Sequence, residues 1–511
     1  MDFTELRLKK ISESSVGTVY AGLAYNFYEV KQNPLSKDEG RFAIFLERLI
    51  QRKAPFSDLK SFKEIPSSFA DDFREEVVSI VEINGLLERI PPKKVFVDLI
   101  EAMIRIISKI SFISDKSLFA ETVLHNSVGL KQLSFFSLDD SLEELMINAL
   151  DDVFVFHREL GVCKTDLVLD EKIFENIIQR VAFSVGKKFN ANEPLLDARL
   201  PDGSRVNATF SEVSPKGSSL TIRKFSPIPL TVLDLIENNT ISSEAAAFLW
   251  VMVEGFGLNP KNVLIVGGTA SGKTTFLNIL SNFIRFNERI ITIEDTLEVS
   301  LLDRKNWVAL EAKHSIENEV TMDSLLKNSL RMRPDRIVVG EVRGSEALTL
   351  FTAMDNGHSG CLGTIHANNA RETIIKLQEK PFSVPESMLP LVDLIVVMQR
   401  IYSKENGMQR RVVEITELSR MDKKVLLANV FDFDESSGAL KRTDLPSHVI
   451  EEFAQQNSLS KNEVKKEIET RRLILKWLIE KNVRKPLEVL EFLQSYYYDP
   501  KKVLSMIYGS E

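Results

Sequence analysis

Val263-Leu-Ile-Val-Gly267-Gly-Thr-Ala-Ser-Gly272-Lys273-Thr274-Thr275 is the stretch from which the rest of this 511-residue chain is read. The four apolar residues 263–266 read as a buried parallel strand. Gly267-x-x-x-x-Gly272-Lys273-Thr274 follows at phosphate-loop spacing, and Phe276, Leu277, Ile279, Leu280 and Phe283 then recur at helical spacing. Glycines at both ends let the backbone curl until its N–H groups converge on an anion, and the helix N-terminus adds partial positive charge. Gly267, Gly268, Thr269, Ala270, Ser271, Gly272, Lys273, Thr274 and Thr275 are therefore the expected nucleotide-binding residues. Lys273 is expected to reach the β- and γ-phosphates of ATP, and the Thr274 hydroxyl to ligate Mg²⁺.

Downstream, strands and helices alternate. Arg289-Ile-Ile-Thr-Ile293 reads as a β-branched strand ending in Glu294-Asp295-Thr-Leu-Glu298. Arg336-Ile-Val-Val-Gly-Glu341-Val-Arg343 reads as another, and Gly360-Cys-Leu-Gly-Thr364-Ile-His366-Ala as a fourth. Two more strands are expected at 391–398 and 410–417, with helices at 323–332 and 346–355 between strands. This alternation predicts an α/β domain with a doubly wound, mostly parallel sheet, whose ligands gather at the strands' carboxyl ends. Glu294, Glu341 and His366 all fall at or near such ends.

Phosphoryl transfer needs Mg²⁺, an oriented water and cations on the departing charge. Glu341, after an apolar strand and a glycine, occupies a Walker B position and could hold the metal's water shell or polarise the attacking water. Glu294 or Glu298 could instead orient the water, and spacing does not separate these assignments. His366 could sense the γ-phosphate or touch a neighbouring subunit, and His358 has a weaker case. Arg331, Arg333 and Arg343, together with Arg205 and Arg223 upstream, are the candidates for an arginine finger.

Upstream, residues 1–117 read as mainly helical after a strand-forming start around 16–30, with helices expected at 73–87 and 95–110. No catalytic constellation falls there, and docking or packing is the expected role. Residues 118–228 change to short strands at 142–147, 152–156 and 165–169, a helix over 171–189, and a Pro201-Asp-Gly turn between strands. A further strand, 219–225, makes this an α+β, mostly antiparallel domain. Its cations of interest are Arg199, Arg205, Arg223 and Lys224. Residues 229–239, entered through Ser226-Pro-Ile-Pro229, are expected as a linker. Residues 240–445 then form the nucleotide-binding domain, and 446–511 a helical C-terminal region with amphipathic stretches near Trp477 and Phe492.

At 44% apolar and 27% charged residues, composition is that of a globular chain of several domains. A net charge of −8 argues against a dedicated nucleic-acid binder. Cys163 and Cys361 are the two cysteines, too few for a disulfide framework or a CxxC zinc pair, which fits a reducing, cytoplasmic compartment. The first residues lack an apolar signal core, and the most apolar run, 95–113, is broken by Asp98, Glu101, Arg105 and Lys109. Any attachment to a membrane is thus expected through a partner.

With these motifs the chain resembles the type II/type IV secretion ATPase superfamily over about residues 120–420. Gly267 to Thr274 matches its Walker A. Arg289-x-x-x-Ile-Glu294-Asp295-x-x-Glu298 resembles its aspartate box, with Thr296 where proline is frequent. Arg336 to Arg343 resembles its atypical Walker B, and Asn356-Gly-His358-Ser-Gly360-x-x-x-Thr364-Ile-His366-Ala-Asn368 its histidine box. Leu200-Pro-Asp-Gly-Ser-Arg-Val-Asn207 resembles the hallmark of its PAS-like N-terminal domain. The resemblance implies a RecA-like domain in a homohexameric ring, ATP held between domains, and rotation on hydrolysis that pushes a membrane platform protein. Secretion, type IV pilus or archaellum assembly are the corresponding functions. Bacterial GspE proteins carry a four-cysteine zinc domain that this chain lacks the cysteines to build, so the likeness is closer to archaeal GspE-type proteins. A nucleic-acid motor of the same fold would need a basic groove or stacking aromatics. A non-motor P-loop enzyme would transfer phosphate to something other than water, and a regulatory scaffold would bind ATP and barely turn it over.

Overall fold

The computed structural model describes residues 9–509 apart from 15, 23–24, 31–34, 63–64, 225–229, 314–318, 404–406 and 422–423. Ser226-Pro-Ile-Pro229 and Phe225 thus lie outside the described residues. Two units divide the chain, Met1–Pro227 and Ile228–Glu511.

The first unit holds a nine-stranded sheet and a helical cluster. Its strands are β1 (Lys10–Glu13), β2 (Gly17–Tyr20), β3 (Asn26–Val30), β4 (Leu142–Ala149), β5 (Asp152–His157), β6 (Gly161–Thr165), β7 (Leu195–Arg199), β8 (Arg205–Thr209) and β9 (Ser219–Arg223). Their order is β1-β2-β3-β6-β5-β4-β9-β8-β7, antiparallel except where β3 meets β6. The first strands of the chain therefore extend the sheet built by residues 142–223. The strand expected at 165–169 lies earlier, at Gly161–Thr165. Asp166 leaves the ladder to accept the Val30 N–H at 3.2 Å, and Asp170 then caps the helix Glu171–Ser184 by accepting from Ile173. That helix packs Phe174, Ile177, Ile178 and Val181 on the sheet. Its Arg180, 4% exposed, donates to the carbonyls of Gly129, Leu86 and Arg89 instead of to a carboxylate. The helix expected over 73–87 is broken into Phe69–Phe73, a wide turn Arg74–Val78 and Ser79–Ile83. A separate apolar core, centred on Phe42, Phe69, Phe73 and Phe119, joins these helices to Lys37–Ile50, Lys93–Ile107 and Lys116–Ser127.

The second unit is built on β10 (Val263–Gly267), β11 (Ile290–Glu294), β12 (Trp307–Glu311), β13 (Arg336–Val342), β14 (Leu362–Ile365), β15 (Leu394–Ser403), β16 (Gly407–Met421), β17 (Lys424–Asp434) and β18 (Ala439–Arg442). Their order is β12-β11-β13-β14-β10-β15-β16-β17-β18. The first six are parallel, and β16, β17 and β18 add an antiparallel meander. Val263 to Val266 are fully buried, as covering by helices on both faces requires. The span expected as a linker carries the helix Val232–Glu237, whose Val232, Leu233 and Leu235 join this unit's core. Ser242 caps Ser243–Glu254, and Gly255 (φ 66°) ends it where a Cβ would stand 2.2 Å from the Pro260 nitrogen. The C-terminal helices His448–Gln456, Lys461–Glu480, Pro486–Tyr498 and Pro500–Tyr508 share that core. Among the described residues, no helix is long and apolar enough to cross a membrane.

Candidate functional site

The parallel register puts the carboxyl ends of β10, β11, β13 and β14 on one edge, bringing Gly267, Glu294, Glu341 and His366 to the same side of the sheet. From β10 the chain curls through Ala270 (φ 57°) and Gly272 (φ 92°) into the helix Lys273–Ser281. Left-handed backbone is costly for alanine, so these two positions mark an enforced curl. A Cβ at Gly267 would stand 2.3 Å from the Met398 carbonyl oxygen and 2.5 Å from Ser271 Oγ, so only glycine fits. No side chain caps the first turn of the helix. Ser271 Oγ is buried without a partner. Lys273 Nζ donates to the Gly267 and Gly268 carbonyls, each at 2.9 Å. Burial lowers its pKa, opposed by Glu341 and Glu298 and reinforced by Arg343. An uncapped helix start, a curl that excludes side chains and a lysine among carboxylates fit a phosphate chain.

The acids occupy three different environments. Glu294 is 2% exposed, and its Oε2 accepts the N–H groups of Glu298 (2.6 Å) and Val299 (2.8 Å). Gly340 packs on it so closely that a Cβ would meet Glu294 Cγ at 2.7 Å. The carboxylate of Glu294 thus holds the loop that carries half-buried Glu298. Glu341 sits at an irregularity in the β13–β14 register, where Val339 and Val342 on β13 face Gly363 and Ile365 on β14. One extra residue forms a bulge, which re-aims the side chain. The Thr364 hydroxyl fastens that bulge by donating to the Gly340 carbonyl at 2.7 Å. Arg343 Nη2 lies 2.6 Å from Glu341 Oε2, and Nη1 lies 3.5 Å from Asp295 Oδ2. Glu341 above all raises the pKa of Arg343. Thr274 is half-buried at the helix start and Thr275 exposed. A threonine hydroxyl and one carboxylate near a phosphate site suit Mg²⁺, which takes few protein ligands and keeps waters. No group of three or more His, Cys, Asp or Glu able to hold a metal by itself occurs among the described residues.

His366 is exposed, and its carbonyl accepts from Lys376 at 2.9 Å. His358 precedes β14 and so lies at the opposite, amino edge, as do exposed Arg331 and Arg333 before β13. Of the arginines expected near the acids, only Arg343 is on their edge. In the first unit, register pairs Arg199 with Arg205, Arg205 with Arg223, and Arg223 with Glu144. Three arginines therefore stand side by side on one face, Arg223 exposed and the others half-buried. Lys224, 14% exposed, is taken up by the Asp139 carbonyl at 2.8 Å.

Sequence reasoning missed Arg410. Its Nε donates to the Ala270 carbonyl at 3.1 Å, and its Cδ lies 3.2 Å from where a Gly272 Cβ would be. Alternation along β16 separates Arg410 from its neighbour Arg411, which is 8% exposed and faces the other way. Alternation does not say that the exposed one lies over the phosphate loop, because that follows from pairing with β15.

The fold is a RecA-like P-loop domain together with an α+β N-terminal unit. The chain belongs to the family described as Type II/IV secretion system protein, matched over residues 130–484. An uncharacterised protein of Methanocaldococcus jannaschii is 54% identical over 229 residues, 44% of this chain and 32% of that protein. A second from the same organism is 35% identical over 315 residues, 61% of this chain and 56% of that protein. The matches thus span about a third and about half of the length of these two relatives. The type IV secretion system protein PtlH of Bordetella pertussis is 34% identical over 257 residues, 43% of this chain and 74% of PtlH.

Proposed function

We propose that this chain is the ATP-hydrolysing motor of a secretion or filament-assembly machine, working as a homohexamer at the cytoplasmic face of a membrane. A polytopic platform protein would receive its motion, as in a secretion pseudopilus, a type IV pilus or an archaellum. The observation that carries the reading is Lys273, bound to the loop's own carbonyls within electrostatic reach of Glu341 and Glu298. Membership of the secretion family supports the coupling to a secretion machine.

In this reading the loop N–H groups from Gly268 to Thr275 hold the phosphates, and Lys273 takes up charge on the β- and γ-phosphate oxygens. Mg²⁺, which Thr274 and, through the water shell, Glu341 would hold, would supply charge neutralisation. Glu298 orients a water in line with the γ-phosphorus and accepts its proton as the bond to the β–γ bridging oxygen breaks. Glu294 positions Glu298 through the hydrogen bonds it accepts from the Glu298 and Val299 N–H groups. His366, exposed at the same edge, senses the terminal phosphate in this proposal. An arginine finger is assigned to Arg205 or Arg223, because like charges set side by side attract an anion.

ATP hydrolysis with Mg²⁺ by the purified chain tests this. Glu298→Gln is expected to bind ATP as the wild type does and lose about 10²–10⁴ in kcat, the usual contribution of a general base. Lys273→Ala is expected to weaken ATP binding itself. Wild-type turnover in Glu298→Gln would remove Glu298 as the base, and unchanged affinity in Lys273→Ala would remove the loop as the binding site.

A further inference from the structure

Where β15 turns back into β16, the register sets Arg400 directly opposite Arg410. Directly opposed residues of an antiparallel pair share a face, with Cβ atoms about 4.5–5.5 Å apart, and like charges so placed repel. Both arginines are exposed, and neither has a carboxylate partner among the described residues. This strand pair backs the phosphate loop, since the Met398 carbonyl abuts Gly267 and Arg410 Nε reaches Ala270. A repelling pair of cations beside a loop of converging N–H groups is a second site for negative charge.

The strand order gives this site a direction. Glu298 follows β11 and Glu341 lies near the end of β13, on one side of the loop strand β10, whereas Arg400 and Arg410 lie on β15 and β16, on the other. A polyphosphate that places its terminal phosphate at the acids presents its inner end to the arginines. We propose that Arg400 and Arg410 form a cation subsite for the innermost (α) phosphate of a nucleoside di- or triphosphate. On binding, Arg410 exchanges the Ala270 carbonyl for a phosphate oxygen. This rests on the nucleotide-binding reading above and adds to it the polarity of the bound nucleotide.

The test is the Kd of the full chain for ADP and for ATP by titration calorimetry, in wild type, Arg400→Ala, Arg410→Ala and Arg410→Lys. Removing one charge-assisted hydrogen bond to a phosphate common to both nucleotides should raise both constants in Arg410→Ala by the same factor, about 10- to 100-fold. Arg410→Lys is expected to fall between, and Arg400→Ala to raise both constants by a smaller common factor. If Arg410→Ala fails to fold, Arg400→Ala carries the test, because Arg400 holds no loop atom. Wild-type ADP affinity in both alanine variants would overturn the subsite. So would a fall in kcat with unchanged ADP affinity, which would place the arginines at the terminal phosphate. If the wild type binds neither nucleotide, the function proposed above fails, and the subsite with it.

Discussion

Thr364 is 1% exposed, and its hydroxyl is the donor for the Gly340 carbonyl at the bulge that presents Glu341. Thr364→Val keeps the shape of the side chain and removes that donor, leaving a buried carbonyl at a cost of about 1–3 kcal/mol. If the bulge aims Glu341 at the metal's water shell, kcat should fall at least about tenfold, one tenfold step being about 1.4 kcal/mol of barrier. ATP affinity should stay near the wild-type value, because the loop residues are untouched. Steady-state kinetics with a parallel denaturant titration checks this. An unchanged kcat beside a measurable loss of stability would mean that the bulge only packs. Glu294 and Glu298 show the limit of sequence at the same scale. Both are acids at or just after a strand end, equal in standing along the chain, and the burial of Glu294 with the two amide donors on its carboxylate separates them.

Elements differ in how far they can be read from the chain. The strand, loop and helix at 263–281 are contiguous, and each carries its own signature of apolar run, glycine spacing and helical period. The parallel strands 290–294 and 336–342 are likewise visible as β-branched runs. β12, a half-exposed parallel edge strand, and the antiparallel β17 and β18 are not, because partly exposed strands look like loops until a neighbour pairs with them. Arg400 and Arg410 are hidden in the sequence for the same reason. So is a helix-to-helix tie. Fully buried Glu254 accepts from Arg471 at 2.8 Å and from Arg285, while Arg471 also reaches Glu467 at 2.8 Å and lies 5.0 Å from the Trp250 ring centre. These partners bind Lys461–Glu480 to Ser243–Glu254. Glu254→Leu takes from buried Arg471 its buried acid, leaving it only Glu467, and should cost up to ~3–5 kcal/mol, as broken buried pairs do. Removing Arg471 as well (Glu254→Leu with Arg471→Leu) should recover part of it. Chemical unfolding of the single and double variants measures this, and equal losses in both would show that the pair is not coupled.

The whole molecule carries the proposed nucleotide edge in one unit and an arginine face in the other, and the family match at 130–484 takes in residues of both. The second unit has the loop, the acids and Arg343, but Arg343 is already paired with Glu341 and Asp295. In the function proposed above, the row Arg199, Arg205, Arg223 is the supply of a further cation for the charge that develops on the γ-phosphate. If that supply comes from a neighbouring copy in a ring, specific ATPase activity should climb steeply with protein concentration until assembly is complete, and then level off. Arg205→Ala and Arg223→Ala should lower the plateau, by as much as the roughly 10³–10⁵ that an arginine finger contributes, without moving the concentration at which it is reached. Activity that is flat with concentration, measured beside a monomer mass, would overturn the ring. Flat activity beside a hexamer mass would mean that the ring is already formed at the lowest concentration, and the arginine variants then decide whether the face completes the site.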